Sequence, residues 1–194
     1  MLKIHRNKIE DEKFVLYKLN EPDNFKCCQA FDCGNADLNE FFSCDARPHA
    51  DQLIATTYCF KSKEAIHIPI AFVSLSNDAI IARKKRNLEA LRTYLTNKIP
   101  DTKQYPTYPA VKIGRLGVAS TYQGNNAGSY ILNFIKELFL DENRTGCRFI
   151  TVDAYNKENV IKFYKKNNFD FIHDKDKSGR TRSMYFDLKN LKCP

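Results

Sequence analysis

The sequence predicts a mixed α/β fold in which strands bracket single helices, and three observations carry that prediction. The chain has 194 residues with 43% hydrophobic content, which suits one globular domain spanning residues 1–194 with a real core. Segments with strand-like apolar patterning alternate with segments of helical periodicity, without internal repeats or low-complexity linkers. One segment, Tyr108 to Leu140, joins the two patterns through a turn rich in small and amide residues, QGNNAG.

In chain order, Lys13–Leu19 (KFVLYKL) reads as a strand, and Phe31–Ala46 (FDCGNADLNEFFSCDA) as a turn leading into a short helix. Gln52–Phe60 and Ile66–Ser76 read as two strands joined by the polar KSKEA, hairpin-like, with Pro69 implying an edge or bulged position. Ala79–Asn97 reads as a helix, with Leu88, Leu91 and Leu95 at helical spacing. Tyr108–Ala119 is a strand feeding the turn, and Tyr130–Leu140 is a helix with Ile131, Phe134, Ile135 and Leu138 on one face. Phe149–Ala154 (FITVDA) has the composition of a buried strand. Asn156 is placed to cap the next helix, whose Val160, Phe163 and Tyr164 share a face. Asn168 is suited to the left-handed conformation that ends that helix before Phe169. In the last strand, Arg182–Leu188, the pattern turns Met184, Phe186 and Leu188 inward.

Composition narrows the function classes. The start MLKIHRNKIEDEK is charged throughout, and no apolar stretch reaches the roughly 18 residues of a membrane span, which predicts no signal peptide, no membrane partner and a cytoplasmic location. Seven cysteines, at 27, 28, 33, 44, 59, 147 and 193, lack zinc-site spacing, so reduced thiols and no metal are expected. A net charge of +8 and a pI near 9.1 favour polyanionic partners: a nucleotide cofactor, RNA or an acidic protein surface. The densest basic run, Arg83–Arg86 (RKKR), reads either as a solvated helix face or as an RNA-facing cluster.

The turn between strand and helix is the chemical signal. A strand ending at Ala119 and turning through Gln123, Gly124, Asn125, Asn126, Ala127 and Gly128 directs helix N-terminal N–H groups to one point, where the helix dipole also favours an anion. A pyrophosphate suits that point, since Gly124 and Gly128 have no Cβ to hold it off. The loop is neither a Walker A motif, lacking G-K-[ST], nor a Rossmann fingerprint, lacking G-x-G-x-x-G. Taken alone, it reads better as a tight strand-to-helix turn that needs glycine for packing.

The loop has company: GRLGV before it, an apolar helix after it, the strand VDA, and then NVIKFYKKNNF. Together these resemble the GNAT superfamily of acetyl-CoA-dependent N-acetyltransferases. FDCGNADLNEFF, GRLGV and SMYFDL further resemble its branch of toxins that acetylate aminoacyl-tRNA. The resemblance implies a mostly antiparallel central sheet flanked by helices and acetyl-CoA as cosubstrate. It implies an amine acceptor, with aminoacyl-tRNA foremost and a protein or small-molecule amine the alternative, and as partners an antitoxin protein and a second copy in a homodimer. By position it sets Leu116, Gly117 and Val118 beside the pantetheine, Gln123 to Ser129 around the pyrophosphate, and Asn159 near the cofactor. Tyr164 falls at the tyrosine that protonates the departing CoA thiolate. Two departures stand out, Asn126 where the pattern has glycine and Lys157 where many members have asparagine.

Amine attack on a thioester needs a neutral amine, a held carbonyl and a proton for the thiolate. No Asp or Glu occurs between Tyr105 and Thr121, which leaves Asp153 and Glu158 as remote base candidates. An α-amine, titrating near 7.7–8.0 against about 10.4 for lysine, is substantially neutral without a base. Two readings from other classes compete with an enzyme: a non-catalytic acyl-CoA-binding regulator, and a basic RNA-binding module in which the loop only packs.

Overall fold

The computed structural model describes residues 3–5, 8–10, 14–19, 31–63, 68–81, 93, 105–141, 143, 145–173 and 177–191. These form nine strands, β1 (Lys3–His5), β2 (Lys8–Glu10), β3 (Phe14–Lys18), β4 (Thr56–Ser62), β5 (Pro69–Ile81), β6 (Thr107–Val118), β7 (Phe149–Tyr155), β8 (Asp170–Phe171) and β9 (Thr181–Asp187). The helices are α1 (Ala36–Glu40), α2 (Ala46–Asp51), α3 (Ala127–Asp141) and α4 (Glu158–Lys166), with α1 and α2 joined by a wider π-type turn, Phe41–Asp45. Strand pairs β1–β2, β2–β3, β3–β4, β4–β5, β7–β9 and β8–β9 are all antiparallel, as the mixed, mostly antiparallel class requires. The chain divides into two compact units, Met1–Ser76 with Ile113–Ile131, and Asn77–Lys112 with Leu132–Pro194.

The first unit is organised by aromatic packing. Phe72 on β5 is fully buried and stacks on Phe42 (centroids 4.3 Å apart, 6° between planes), while Phe31 meets both rings edge-on. Leu19, Phe41, Cys59 and Ala119 complete this core. Pro69 sits where the hairpin slips register between Phe60 and Lys61, so the missing N–H falls at a bulge, as its sequence position implied.

In the second unit β7 pairs with β9 (Val152 opposite Met184) and β9 with β8 (Met184 opposite Phe171). Phe149, Tyr108, Ile80 and Tyr185 build its core. Along α3, Ile131, Phe134 and Ile135 are buried and Leu138 is half-buried, as their spacing predicts. Asn168 adopts φ +64° directly after α4, the left-handed stop expected of it.

Three expectations need correction. Residues Ala79–Ile81 are extended, the end of β5, because Ile80 is drawn into the Tyr108–Phe149 core and Thr151 Oγ1 donates to Asp78 beside it. Of the remainder of the expected helix only residue 93, which is helical, is described; the rest, with Arg83–Arg86, Leu88, Leu91 and Leu95, lies outside the described residues, as do Cys27, Cys28 and Cys193. Asn156 does not cap α4. Lys157 holds the N-cap position without a side-chain bond, and Asn156 Nδ2 donates instead to the carbonyls of Lys177 (2.8 Å) and Gly179 (2.9 Å). In β9 Met184 and Phe186 are buried as expected, as is Leu188 just past its end, but the opposite face is not left to solvent: Tyr185 packs on Phe149, and Asp187 is paired with Arg148 at 2.9 Å.

Candidate active site

The residues singled out in the sequence fall in two groups, one in each unit. In the first, β6 delivers Leu116 and Val118, half-buried on one face, and Gly117, buried on the other. Gly117 is required by close approach: a Cβ there would stand 2.5 Å from Phe72 Cε1 and 3.3 Å from Phe31 Cε1. Ala119 N–H bonds Ile70 O (2.8 Å), and a short 3₁₀ turn, Ser120–Tyr122, leads into the loop.

Gln123, Gly124, Asn125 and Asn126 form the exposed turn, and Ala127, Gly128 and Ser129 open α3, half-buried. Gly124 has φ +82° with nothing within 4 Å of a built Cβ, leaving open space above the backbone. Asn126 has φ +58°. Asparagine is among the few residues that enter this region readily, so the departure from glycine preserves the turn's shape. The backbone bond from Tyr130 N–H to Asn126 O (3.0 Å) places the N–H groups of Ala127 and Gly128 in the first turn, where no intrahelical acceptor exists. An anion of pyrophosphate type fits this mouth: glycine leaves room, the helix start supplies donors, and the dipole has the right sign.

The second group lies on α4 and around β7. Asn159 is exposed in the first turn of α4. Tyr164 is buried, its ring edge-on to Phe163 (5.1 Å) and Phe169 (5.3 Å). Burial pushes its phenol well above the ordinary tyrosine range, so it is a neutral O–H donor at every physiological pH. Lys136 on α3, itself buried, donates to Asn167 O (2.9 Å) just past the end of α4 and lies over the Phe186 ring (4.2 Å). Burial lowers the pKa of this ammonium, and the Asn167 carbonyl offsets part of the cost.

The two remote base candidates are both engaged. Burial alone would push the Asp153 carboxyl up, but hydrogen bonds from Lys112 and Ser183 (2.7 Å), with the Lys112 charge, outweigh it and hold the carboxyl below its ordinary range. Glu158 is bonded to Lys162 at 2.6 Å on the exposed face of α4. Among the described residues no group of three His, Cys, Asp or Glu side chains is placed to hold a metal, and no helix is long and apolar enough to cross a membrane.

Sequence reading missed the strap around Asp32 and Cys33 as part of this neighbourhood. Ser120 N–H bonds Asp32 O (2.9 Å), and Gln123 Nε2 bonds Cys33 O (2.9 Å) across 90 positions of sequence. The motif FDCGN was visible, but nothing in it signals a partner so distant in the chain.

Comparison with known proteins gives the geometry its context. No curated protein is similar enough in sequence to count as a relative. Among solved structures, the chain is similar to a tyrosine-to-phenylalanine mutant of KacT (20% identity, 93% of this chain and 98% of that one, TM-score 0.74). It is similar to AtaT complexed with acetyl-methionyl-tRNAfMet (18%, 92% and 96%, TM-score 0.73). It is also similar to a tyrosine-to-phenylalanine mutant of the AtaT toxin bound to acetyl-CoA and the C-terminus of the antitoxin AtaR (16%, 94% and 96%, TM-score 0.65). At these identities the likeness is one of fold. Residues 93–169, which hold the loop, Asn159 and Tyr164, match the acetyltransferase (GNAT) family. The segment that carries the loop, Asn159 and Tyr164 is thus similar in sequence to the GNAT acetyltransferases.

Proposed function

We propose that the protein transfers the acetyl group of acetyl-CoA to the α-amine of an aminoacyl-tRNA, as a toxin held in check by an antitoxin protein. The observation that carries the cofactor half is the open, left-handed turn at the mouth of α3, joined to the β6 residues Leu116–Val118 by the short 3₁₀ turn Ser120–Tyr122 and inside the family-matched segment. In this reading the N–H groups of the Gly124–Ser129 segment bind the pyrophosphate, and the backbone of Leu116, Gly117 and Val118 lies along the pantetheine. Asn159 adds a polar contact from α4.

The acceptor half is supported by the state of the carboxylates. Asp153 and Glu158 are each bonded to a lysine, so neither is poised to deprotonate a lysine-type amine. An α-amine near pKa 7.7–8.0 has a large neutral fraction without help. The neutral nitrogen attacks the thioester carbonyl, the N–C bond forms and the C–S bond breaks, the thiolate takes its proton from Tyr164, and the proton that the ammonium releases to water is balanced by reprotonation of the Tyr164 phenolate from water. The positive balance of the chain suits a polyanionic acceptor. AtaT, a fold neighbour, has been captured with acetyl-methionyl-tRNAfMet, and a mutant of it with the antitoxin AtaR.

The test is incubation with labelled acetyl-CoA and total charged tRNA, in parallel with a soluble protein extract. Label is expected on the amino acid of the charged tRNA. Label confined to protein would move the acceptor to protein amines. Acetyl-CoA binding without transfer would make the protein a non-catalytic binder.

A further inference from the structure

We propose that Gln123 is a positioning residue: its carboxamide ties the strap Asp32–Gly34 to the end of β6 and so fixes the anion-binding mouth of α3. This rests on the acetyl-CoA reading above.

A primary amide carries two N–H donors, and Gln123 Nε2 spends both on backbone carbonyls, Cys33 O and Val118 O, each at 2.9 Å. One acceptor is the last residue of β6; the other belongs to a segment 90 positions away. The donors are therefore turned toward protein. Next to it, Ser120 N–H and Oγ both reach Asp32 O (2.9 and 3.3 Å), and Ala119 N–H reaches Ile70 O. The stretch before the loop is thus fastened to the carbonyls of Ile70, Asp32 and Cys33.

The strap is built to receive these bonds. Asp32 Oδ1 accepts from Gly34 N–H (2.8 Å) and Asn39 Nδ2 (2.7 Å), and these two bonds hold its carboxylate below the usual range. Asn39 Oδ1 accepts from Cys33 N–H (3.0 Å) and from the Cys33 thiol (3.1 Å). Gly34 at φ +73° turns the chain, and Asn35 caps α1 through Leu38 N–H. With these side chains and N–H groups of the strap satisfied internally, the carbonyls of Asp32 and Cys33 are left to accept from Ser120 and Gln123. This gives the FDCGN motif a physical role at the cofactor loop. Gln123 itself is exposed, so its substitution leaves the aromatic core intact.

The test compares Gln123→Met, which keeps the length and loses the donors, with Gln123→Arg, which keeps a planar pair of donors. In the ligand-free protein, amide hydrogen exchange at Ser120 and Cys33 should speed up at least tenfold in Gln123→Met and stay near wild type in Gln123→Arg. The acetyl-CoA Kd by calorimetry and the KM of Gln123→Met should rise tenfold or more, with kcat falling less than threefold and a small change in melting temperature. Unchanged exchange with weakened binding would overturn the proposal in favour of direct contact between the side chain and the phosphates. Unchanged exchange and unchanged Kd would overturn it outright. Failure of the wild-type protein to bind acetyl-CoA is a different result, and would remove the cofactor reading itself.

Discussion

Tyr164 separates packing from chemistry at a single oxygen atom. Its ring is held between Phe163 and Phe169, contacts that Tyr164→Phe keeps. Removing the hydroxyl should therefore leave the melting curve and acetyl-CoA affinity nearly unchanged, and lower CoA release in the presence of acceptor by about 10² to 10⁴, the usual worth of a placed general acid. Full turnover in the folded variant would make Tyr164 a core aromatic only. Gly128 makes the opposite separation. A glutamate in the first turn of α3 suits the helix dipole and has better helix propensity than glycine, so Gly128→Glu should melt no lower than wild type. Its side chain and charge would occupy the anion mouth, and calorimetry should show acetyl-CoA binding abolished; unchanged affinity would place the pyrophosphate elsewhere. At this scale the sequence was legible where a residue's own backbone preference decides, as at Asn126 and Asn168 with their positive φ. It was illegible at Asn156, whose cap-like side chain found the Lys177 and Gly179 carbonyls, brought to it by a turn distant in sequence.

At the scale of elements, β6 is positioned by what its glycine leaves out. Phe72, stacked on Phe42 and fully buried, cannot retreat from a methyl group placed 2.5 Å from its ring. Gly117→Ala should cost about 1–3 kcal/mol by overpacking, read as a lower urea midpoint at constant slope; an unchanged midpoint would mean that the aromatic cluster is looser than its geometry. The β6–β7–β9 cross-strand link through Lys112, Asp153 and Ser183 predicts an acid dependence. The folded pKa of Asp153 lies below its unfolded value of about 3.9. Its stabilisation is therefore present above about pH 4 and lost as pH falls through the folded pKa. Asp153→Asn should be less stable than wild type at pH 7, and the gap should narrow in denaturation curves taken near pH 3. A constant gap would mean the carboxylate's charge is not what stabilises. Strand and helix positions were legible from period alone for β6, α3, β7 and α4. The extension of β5 to Ile81 was not, because NDAII reads equally as a helix start until Ile80 meets the Tyr108–Phe149 core.

At the scale of the whole molecule, the charge of +8 predicts how an RNA acceptor would be held. Binding to charged tRNA should weaken steeply between low and physiological salt, and binding to acetyl-CoA much less, because the larger interface neutralises more phosphates. Replacing Arg83, Lys84, Lys85 and Arg86 with alanine should flatten the tRNA slope if that run faces the RNA; an unchanged slope returns it to a solvated surface. The mixed class and the antiparallel pairings followed from the alternation of periods and from the family resemblance. The division into two compact units did not, since β5, β6 and α3 each contribute to both and no composition break marks the boundary. The proposed acceptor is the free α-amine of an amino acid whose carboxyl group is esterified to tRNA. The most direct measurement of this is the transfer of label from acetyl-CoA to one purified aminoacyl-tRNA, with the uncharged tRNA and the free amino acid as controls. Label is expected only with the charged tRNA, released by mild alkali as the N-acetyl amino acid. Equal labelling of the free amino acid, or release of CoA with no label on the charged tRNA, would contradict it.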